Sequence, residues 1–463
     1  MTGIAQRKRI WGWYFFDWAS QPYHTLLVTF VFGPYFAATA AAHFQTAGLT
    51  EAAADARAQA LWSWGLTVAG LIIGLGAPLM GAIADTTGRR LQWIVVFSAM
   101  YVVGAAGLWW MYPDGSTLWW GLVAFGIGFI GAEYALIFIN SQLPSLGDSA
   151  QVGEISGSGF AFGYAGGVLS LMVMLLFFME QPDGRTLIGL RPGLGLLDAQ
   201  TREGTRLVGP FAALWFAVFM VPYFLWVRDL GPPRQGRGLE DAIRLLGRTL
   251  GGLRHRLSLT AYLGSSMFYR DALNGLYGFG GTYAVLVLDW NIVSVGIFGI
   301  VGALSAALFA WVGGKADRRF GPKPVIIVAV WGLIAICITV LGMNRTQLFG
   351  MSLAVGSTLP DAVFFGCGVL IGGLGGMLQA ASRTLMVRHT KPTAPTENFG
   401  LYGLSGRATA FLAPALVGSV TTLTGSARLG VAPVIGLFLI GLLLLRWVRA
   451  EGDVTTWQGI KSG

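Results

Sequence analysis

This sequence contains few charged residues. Only 11% of its 463 residues are charged, against roughly 25% in a typical soluble domain. Hydrophobic residues make up 54%, and apolar runs of membrane length recur along the whole chain, which excludes a soluble enzyme with a large core. The net charge of +9 therefore describes loops that face anionic lipid, not a nucleic-acid surface. We expect a lipid bilayer as a partner and no nucleic acid.

Cysteine and catalytic groupings are also scarce. The two cysteines, Cys337 and Cys367, lie within apolar segments, which favours ordinary packing over a disulfide or a metal role. The sequence contains no phosphate-binding P-loop, no metal-ligand spacing and no nucleophile with its base. We therefore predict no enzyme activity, no catalytic residue, no cofactor and no metal.

The apolar runs predict an all-α polytopic membrane protein with twelve transmembrane helices. Each run is near or above the ~20 residues that cross the hydrocarbon layer. We expect the first run to be a retained span and not a cleaved signal peptide, because it carries Asp17 and bulky aromatic residues. The predicted spans are 11–41, 60–84, 91–112, 117–141, 154–180, 208–228, 257–288, 291–314, 324–342, 359–386, 397–424 and 429–449.

The basic residues predict the orientation of these spans. Loops on the side of the N-terminus hold 22 lysines and arginines, Arg383 among them, and loops on the opposite side hold 7. By the positive-inside rule, both termini are cytoplasmic and the protein is a multi-pass protein of the cytoplasmic (inner) membrane. Four arginines in loop 181–207 (Arg185, Arg191, Arg202 and Arg206) run against this asymmetry, and the sequence offers no explanation of them.

Two halves and a connection are predicted: bundles of six helices at 1–228 and 257–463, joined by residues 229–256. In the connection, leucines and an isoleucine fall on one helical stripe, and Arg244 and Arg248 lie opposite. This spacing is typical of an amphipathic helix on the cytoplasmic membrane surface. A helix packed under the bundle is the alternative, and the two are compatible. The stripe comprises Leu239, Ile243, Leu246, Leu250, Leu253 and Leu257.

A short charged motif occurs once in each half. GAIADTTGRR and GGKADRRFGPK (Gly313 to Lys323) each stand between apolar runs. Charged side chains cannot lie among lipid tails, so each motif is predicted to be a turn at an aqueous face, where glycine allows close approach. An ordinary basic turn is the alternative, which two matched copies disfavour. The predicted gate residues are Gly81, Asp85, Gly88, Arg89, Arg90, Gly313 and Asp317.

Five charged residues lie deep inside predicted spans: Asp17, Glu133, Arg270, Asp271 and Arg407. A charge at that depth costs several kcal/mol, so it faces a partner or water. We expect Asp17 and Glu133 to exchange protons, and Arg270 and Arg407 to bind an anionic or zwitterionic solute, since the arginine fork suits a carboxylate. For the two acids the alternative is a buried carboxyl that pairs with a cation or caps freed backbone near Gln21 and Pro22, and for the arginines it is a fixed interhelical ion pair.

The two halves also share a weaker pattern. Asp17 is followed six residues later by Tyr23, and Asp271 is followed six residues later by Tyr277. Such internal symmetry is typical of transporters with a binding site between two repeats. We add Asp271, Tyr23 and Tyr277 to the predicted substrate-binding residues. His24 is interpreted as a core histidine that can couple to Asp17.

The repeated motif resembles the loop motif of the major facilitator superfamily, with one extra residue between Asp317 and Gly321 in the second copy. Three stretches, Trp13–Phe36, Asn140–Gly167 and Gln379–Pro414, resemble a narrower branch. That branch comprises the bacterial relatives of the vacuolar amino-acid effluxers linked to autophagy. The resemblance implies twelve helices, alternating access and a latch in which Asp85 meets a helix start of the other half.

We therefore predict a monomeric secondary transporter that moves a small organic solute, an amino acid or a related compound, with a possible proton as the coupling ion. A proton-coupled exporter of hydrophobic compounds or lipids is the alternative within transporters. From another class, the alternative is a non-transporting receptor or scaffold, which charges buried in both halves disfavour.

Overall fold

A computed structural model describes residues 3–148, 151–181, 183–227, 239–288, 290, 292–354, 356–391, 393–424, 426 and 428–453. Residues 228–238, which include the first part of the predicted connection and three of the arginines used for orientation, lie outside the described residues, as does Lys461. The described chain is almost entirely helical. The strands found there are a two-residue antiparallel pair, β1 (Gln347–Leu348) and β2 (Met351–Ser352).

The first half of the chain begins with a helix that changes its hydrogen-bonding pattern. After Pro22 the backbone continues as a π-helix, Tyr23–Phe30, in which the N–H of Val31 bonds to the carbonyl of Leu26 at 2.9 Å. A second π-helical segment, Met174–Phe178, ends the sixth helix. The helices of this half are α1 (Gly3–Pro22), α2 (Phe32–Thr46), α3 (Glu51–Thr87), α4 (Arg90–Gly107), α5 (Leu118–Asn140), α6 (Gln151–Val173), α7 (Glu203–Arg206), α8 (Val208–Phe219) and α9 (Val221–Trp226).

The second half contains longer unbroken helices and one that is interrupted. They are α10 (Leu239–Leu253), α11 (Leu257–Leu288), α12 (Ile292–Phe320), α13 (Pro322–Leu341), α14 (Leu359–His389), α15 (Pro395–Ala408), α16 (Leu412–Thr424) and α17 (Ala432–Leu445). Short 3₁₀ turns lie at Leu108–Trp110, Leu143–Ser145, Pro192–Gly195 and Leu429–Val431.

Among the described residues, nine helices are long and apolar enough to cross a membrane. Helices also occupy the other three predicted spans. One is α11, and another is the shorter apolar helix of the last span, Leu429–Leu445. The predicted single span at 397–424 is wrong in one respect, because the structure divides it into α15 and α16. Pro414 cannot donate a hydrogen bond to the preceding turn, and the first turn of a new helix is where proline is best tolerated.

The Cα positions form two compact units. Unit 1 comprises residues 1–77, 87–139 and 162–234, and unit 2 comprises 78–86, 140–161 and 235–463. Two segments from the first half of the sequence therefore cluster with the second half. The predicted boundaries at 228 and 257 remain a prediction.

Glycine contacts between helices are a recurrent feature inside each unit. In unit 1, Gly104 of α4 lies against the backbone at Gly128 of α5. In unit 2, α12 and α14 pack through Gly302 and Gly372, and the hydroxyl of Ser305 donates to the carbonyl of Val369 at 2.6 Å. Small residues allow helix backbones to approach closely, which is how helices associate in lipid.

The charged motifs differ from the predicted turns. Helix α3 continues to Thr87 and α12 continues to Phe320, so Gly81, Asp85, Gly313 and Asp317 lie on the last turns of helices. The chain reverses later, at Gly88 (φ +65°) and at Gly321 (φ +82°). These two glycines have the left-handed backbone conformation that residues with a Cβ rarely adopt.

Loop 181–207 is folded within unit 1, and the structure explains two of its arginines. Arg206 is buried, donates to the carbonyl of Trp109 from Nε (2.9 Å) and Nη2 (2.6 Å), and stacks on the Tyr112 ring. Arg202 pairs with the buried carboxylate of Glu180 at 3.3 Å. Part of the charge that runs against the predicted asymmetry is therefore neutralised or bonded locally.

Helix α10 matches the predicted amphipathic segment over its described residues. Glu240 and Arg244 form an ion pair at 2.9 Å on the polar side. Ala242 is buried, while Ile243 and Leu250 of the apolar stripe are exposed. The surface position of this helix in a membrane remains a prediction.

Candidate functional site

Arg270 of α11 is held by α15 in unit 2. Its guanidinium lies 4.4 Å from the centre of the Tyr402 ring, and its Nη1 donates to the Tyr402 carbonyl at 3.1 Å. A Cβ atom at Gly406 would lie 2.5 Å from Cζ of Arg270, so only glycine leaves room for this guanidinium. Stacking on an aromatic face and a hydrogen bond to a carbonyl hold the planar fork in one orientation.

Asp271, the next residue, meets the start of α16. Its Oδ2 accepts a hydrogen bond from the N–H of Ala413 at 3.0 Å, and the residue is 1% exposed. The carboxylate thereby satisfies one of the N–H groups that a helix start leaves without an intrahelical partner. The two neighbouring residues of α11 thus contact opposite sides of the break, Arg270 the end of α15 and Asp271 the start of α16.

Arg407 lies in the last turn of α15, directly before the interruption. It is half-buried, and its carbonyl accepts the N–H of Ala410 at 3.2 Å. The hydroxyl of Thr409 donates to the carbonyl of Met267 on α11 at 3.3 Å. Three of the five predicted intramembrane charges are therefore gathered on α11 and at the break between α15 and α16.

The two predicted tyrosines have different surroundings. Tyr277 is 41% exposed, and its hydroxyl lies against Gly375 of α14. Tyr23 is fully buried in unit 1, where its hydroxyl donates to the carbonyl of Phe125 at 2.7 Å. Tyr23 is the first residue of the π-helix, and its ring points into the aromatic core. In this conformation a solute cannot contact its side chain, because none of its surface is exposed.

Glu133 of α5 is paired with His24 of the π-helix in unit 1. The distance from Nε2 of His24 to Oε1 of Glu133 is 3.6 Å. The sequence predicts a core histidine that can couple to Asp17; in the structure its side chain is 38% exposed and lies beside the carboxylate of Glu133. The π-helix presents His24 toward α5, and such segments recur at functional sites.

Asp17 is nearly buried in α1, and its Cβ lies against Gly163 of α6. Its carbonyl accepts the hydroxyl of Ser20 at 3.5 Å. The next residue, Trp18, stacks on Phe162 with ring centres 4.6 Å apart. Asp17 is thus enclosed by a close α1–α6 contact.

The first charged motif meets the start of α15 inside unit 2. Asp85 is buried, and its Oδ2 accepts the N–H of Glu397 at 2.9 Å. A Cβ at Gly81 would lie 2.5 Å from the carbonyl oxygen of Thr396, so glycine is required for this approach. A carboxylate at a helix N-terminus is stabilised by the N–H groups and the helix dipole.

The second motif lies against the start of α6, but its aspartate accepts no backbone N–H from the described residues there. A Cβ at Gly153 would lie 2.6 Å from Cγ of the buried Asp317. Arg318 and Glu154 form an ion pair at 2.5 Å, and a Cβ at Gly313 would lie 2.6 Å from Cγ of Met377. Of the other gate residues, Gly88 makes the turn, Arg89 is exposed and Arg90 begins α4.

Arg383 is the residue that the sequence interpretation missed. It was counted as a loop cation, but it is only 2% exposed on α14. Its Nε donates to the hydroxyl of Ser156 at 3.0 Å, its Nη2 to the Ser156 carbonyl at 2.7 Å, and its Nη1 to Oδ1 of Asn140 at 3.1 Å. The signal available was its position in the apolar run 359–386, where an arginine needs an internal partner.

Comparisons with known proteins agree with this architecture. A family model described as "Vacuole effluxer Atg22 like" matches residues 5–455. The chain belongs to the Atg22-like family. An uncharacterized transporter of the major facilitator superfamily type, YxiO of Bacillus subtilis, is 24% identical over 454 residues, which is 96% of both chains.

This Atg22-like protein is also similar to fungal proteins in sequence and to solved transporters in fold. Autophagy-related protein 22-2 of Emericella nidulans is 26% identical over 318 residues, 64% of this chain and 51% of that protein, so the chain spans about half of its length. The structure is similar to the E. coli fucose:proton symporter FucP (TM-score 0.68, 12% identity, 96% and 98% of the two chains). It is also similar to the human organic anion transporter MFSD10 (0.67, 16%, 96% and 100%).

These similarities confirm the predicted fold class and family. This Atg22-like protein is a multi-pass membrane transporter of the major facilitator superfamily, a superfamily of transporters and not of enzymes.

Proposed function

We propose that this Atg22-like protein is a secondary transporter that moves a small carboxylate-bearing organic solute, an amino acid or a related compound, by alternating access. We further propose that it lies in the cytoplasmic membrane with both termini in the cytoplasm and works as a monomer. The excess of basic residues in one set of loops supports this orientation.

One observation carries the proposed substrate class. Two arginines, Arg270 and Arg407, lie within membrane-spanning segments beside an interrupted helix, and the guanidinium of Arg270 is oriented by Tyr402. Interrupted helices are where transporters of other folds bind substrate and coupling ions. A pre-oriented guanidinium binds a carboxylate through two parallel hydrogen bonds. Asp271 next to Arg270, and the exposed Tyr277 farther along α11, complete the proposed solute-binding set.

We propose proton coupling on the contact between Glu133 and His24. A carboxylate and an imidazole 3.6 Å apart can share or exchange a proton, and the π-helix sets their separation. Asp17, enclosed against Gly163, is the second candidate in unit 1. The solved relative FucP is described as a proton symporter, which is consistent with this proposal.

The gate is proposed to be the pair of helix-start contacts at Asp85 and Asp317. Each joins a segment of the first half of the sequence to the second half within unit 2. Opening that side of the transporter requires Asp85 to release the N–H of Glu397, so the contacts bias the transporter toward one of its two states.

The proposed function is tested by thermal-shift screening of purified protein against amino acids, other organic anions and lipids, followed by counterflow in liposomes with the solute that binds. We expect a carboxylate-bearing solute to stabilise the protein, and Arg270→Gln and Arg407→Gln to abolish that shift. The exposed Arg319→Gln is the control and should bind normally. Binding that persists in both variants would falsify the substrate class, and stabilisation by lipids alone would favour a lipid exporter.

The same preparation tests proton coupling. Glu133→Gln should retain counterflow, which needs no net proton movement, and lose uptake driven by a pH gradient. Full gradient-driven uptake in Glu133→Gln would remove this residue as the proton carrier.

A further inference from the structure

The proposed solute binding does not explain one atom beside the break between α15 and α16, the Oδ1 of Asp271. Oδ2 of Asp271 is bonded to the N–H of Ala413, but Oδ1 is buried and has no hydrogen-bond partner among the described residues. No described cation lies within ion-pair distance of this carboxylate. A buried carboxylate with one bonded oxygen and no counterion is costly unless it is neutralised part of the time.

The elements around Asp271 supply no other counter-charge. Helices α16 and α17 contain no titratable side chain. Of the cations on the neighbouring helices, Arg270 is turned to Tyr402 and Arg383 to Ser156, and Arg407 forms no ion pair with Asp271. The remaining titratable or charged groups, helix by helix, are Tyr262, Tyr269, Tyr277 and Tyr283 on α11 itself, Glu240, Asp241, Arg244 and Arg248 on α10, Lys315, Asp317, Arg318 and Arg319 on α12, Asp361, Cys367, Arg388 and His389 on α14, and Glu397 and Tyr402 on α15.

Several of these groups bond to residues other than Asp271. Tyr262 and Tyr269 bond to Ser382, Asp361 pairs with Arg345, and His389 bonds to Ser258. The helix start itself is positive, which disfavours a metal cation beside it. A metal cation would also need several oxygen ligands, and no cluster of three or more metal-binding side chains occurs in the described part of the chain. A proton needs only the free Oδ1.

We propose that Asp271 binds a proton in the transport cycle and thereby controls the contact between α11 and α16. Hydronium transfers its proton to Oδ1, water leaves, and the carboxylate becomes a neutral carboxyl group. The hydrogen bond from Ala413 is then no longer charge-assisted, and the attraction to the helix start is lost. Protonation therefore loosens α16 from α11, and deprotonation restores the contact.

This proposal rests on the proposed transport function and deepens it. It assigns a coupling proton to unit 2, at a residue predicted from sequence only to bind solute. Because Arg270 is held by α15 and Asp271 by α16, solute and proton act on the two sides of one interruption. A carboxylate-bearing solute at Arg270 and a proton at Asp271 would thus bias the same helix break.

The test measures the proton directly, without a solute. Infrared difference spectra of the reconstituted protein are recorded on stepping the pH, and the carboxyl C=O band is followed. We expect a pH-dependent band that is absent in Asp271→Asn, whose side-chain oxygen can still accept the N–H of Ala413 and preserve the fold. Asp361→Asn is the control, because Asp361 is already paired with Arg345 and bonded to Trp290. Identical spectra for the wild type and Asp271→Asn would overturn the proposal.

A second measurement follows the helix. Hydrogen–deuterium exchange of a peptide that includes Ala413, corrected for the intrinsic pH dependence, should increase as the pH falls in the wild type and be independent of pH in Asp271→Asn. If Asp271→Asn does not fold, Asp271→Glu keeps a titrating carboxyl group and should shift the midpoint of the infrared band. Exchange with the same pH dependence in both proteins contradicts the proposal.

The outcomes separate this proposal from the transport function. A proton band at Asp271 in a protein that moves no solute retains the proton site and rejects the proposed function. If the protein transports a solute and the infrared band is unchanged in Asp271→Asn, the proposed function is retained and the proton site is rejected.

Discussion

Three arginines that are buried or half-buried donate hydrogen bonds to neutral oxygen atoms. Arg383 bonds to Ser156 and Asn140, Arg206 to the carbonyl of Trp109, and Arg270 to that of Tyr402. A neutral oxygen accepts the hydrogen bonds of a guanidinium without placing a negative charge beside it. The role of an intramembrane arginine therefore depends on the atoms around its guanidinium as well as on its charge.

At this scale we predict the effect of removing Arg383. Arg383→Met should remove the hydrogen bonds to Ser156 and Asn140 and destabilise the folded protein by about 1–3 kcal/mol. The measurement is thermal unfolding in detergent, with the exposed Arg319→Met as the matched control. Equal melting temperatures for the two variants would show that the Arg383 contacts add nothing to stability.

The proposed gate and the proposed proton site at Asp271 both depend on contacts between a carboxylate and a helix start. Asp85 caps α15 and Asp271 caps α16, each through one backbone N–H, and Asp317 lies against the start of α6. A carboxylate at a helix start contributes roughly 0.3–1 kcal/mol when exposed and up to about 2 kcal/mol when partly buried. That magnitude suits a contact that must form and break in a transport cycle.

At the scale of helices, we predict that Gly81→Ala weakens the hydrogen bond between the N–H of Glu397 and Asp85. Its methyl group would meet the Thr396 carbonyl, whereas at Gly70, on the same helix, a Cβ would meet nothing within 4 Å. Spin labels at Arg89 and Arg254, both exposed, report the conformational populations by double electron–electron resonance. We expect Gly81→Ala and Asp85→Asn to shift the distance distribution, with Gly70→Ala unchanged. A distribution that stays the same in Asp85→Asn rules out the latch.

At the scale of the whole molecule, the orientation in the membrane follows from charge. Leu196 in loop 181–207 and Arg248 on α10 are both exposed, and they belong to segments predicted on opposite sides. The two native cysteines are buried and unpaired, so they interfere little with labelling.

The corresponding prediction concerns a membrane-impermeant maleimide applied to intact cells. It should label Leu196→Cys directly and Arg248→Cys only after permeabilisation, in a background with Cys337 and Cys367 replaced by alanine. Direct labelling of Arg248→Cys would reverse the proposed topology.

The sequence by itself determined the fold class, the family and the charges that lie inside the membrane. These properties are local, since hydropathy and helical periodicity depend on neighbouring residues, and the paired motifs at Asp85 and Asp317 are contiguous. It did not determine where the helices end: both motifs lie on helices that run past them, and one predicted span is divided before Leu412. Pro414 was the available signal for that division.

Only the tertiary structure decided which atoms meet. Asp85 meets Glu397 across 312 positions of sequence and Asp271 meets Ala413 across 142, and Arg383, counted as a loop cation, is buried. Amphipathic periodicity specifies which face of a helix is apolar but not which helix covers it. The partner of each buried charge is set by the packing of segments that are distant in sequence. The proposed assignment of a proton to Asp271 and of a solute to Arg270 therefore depends on that packing.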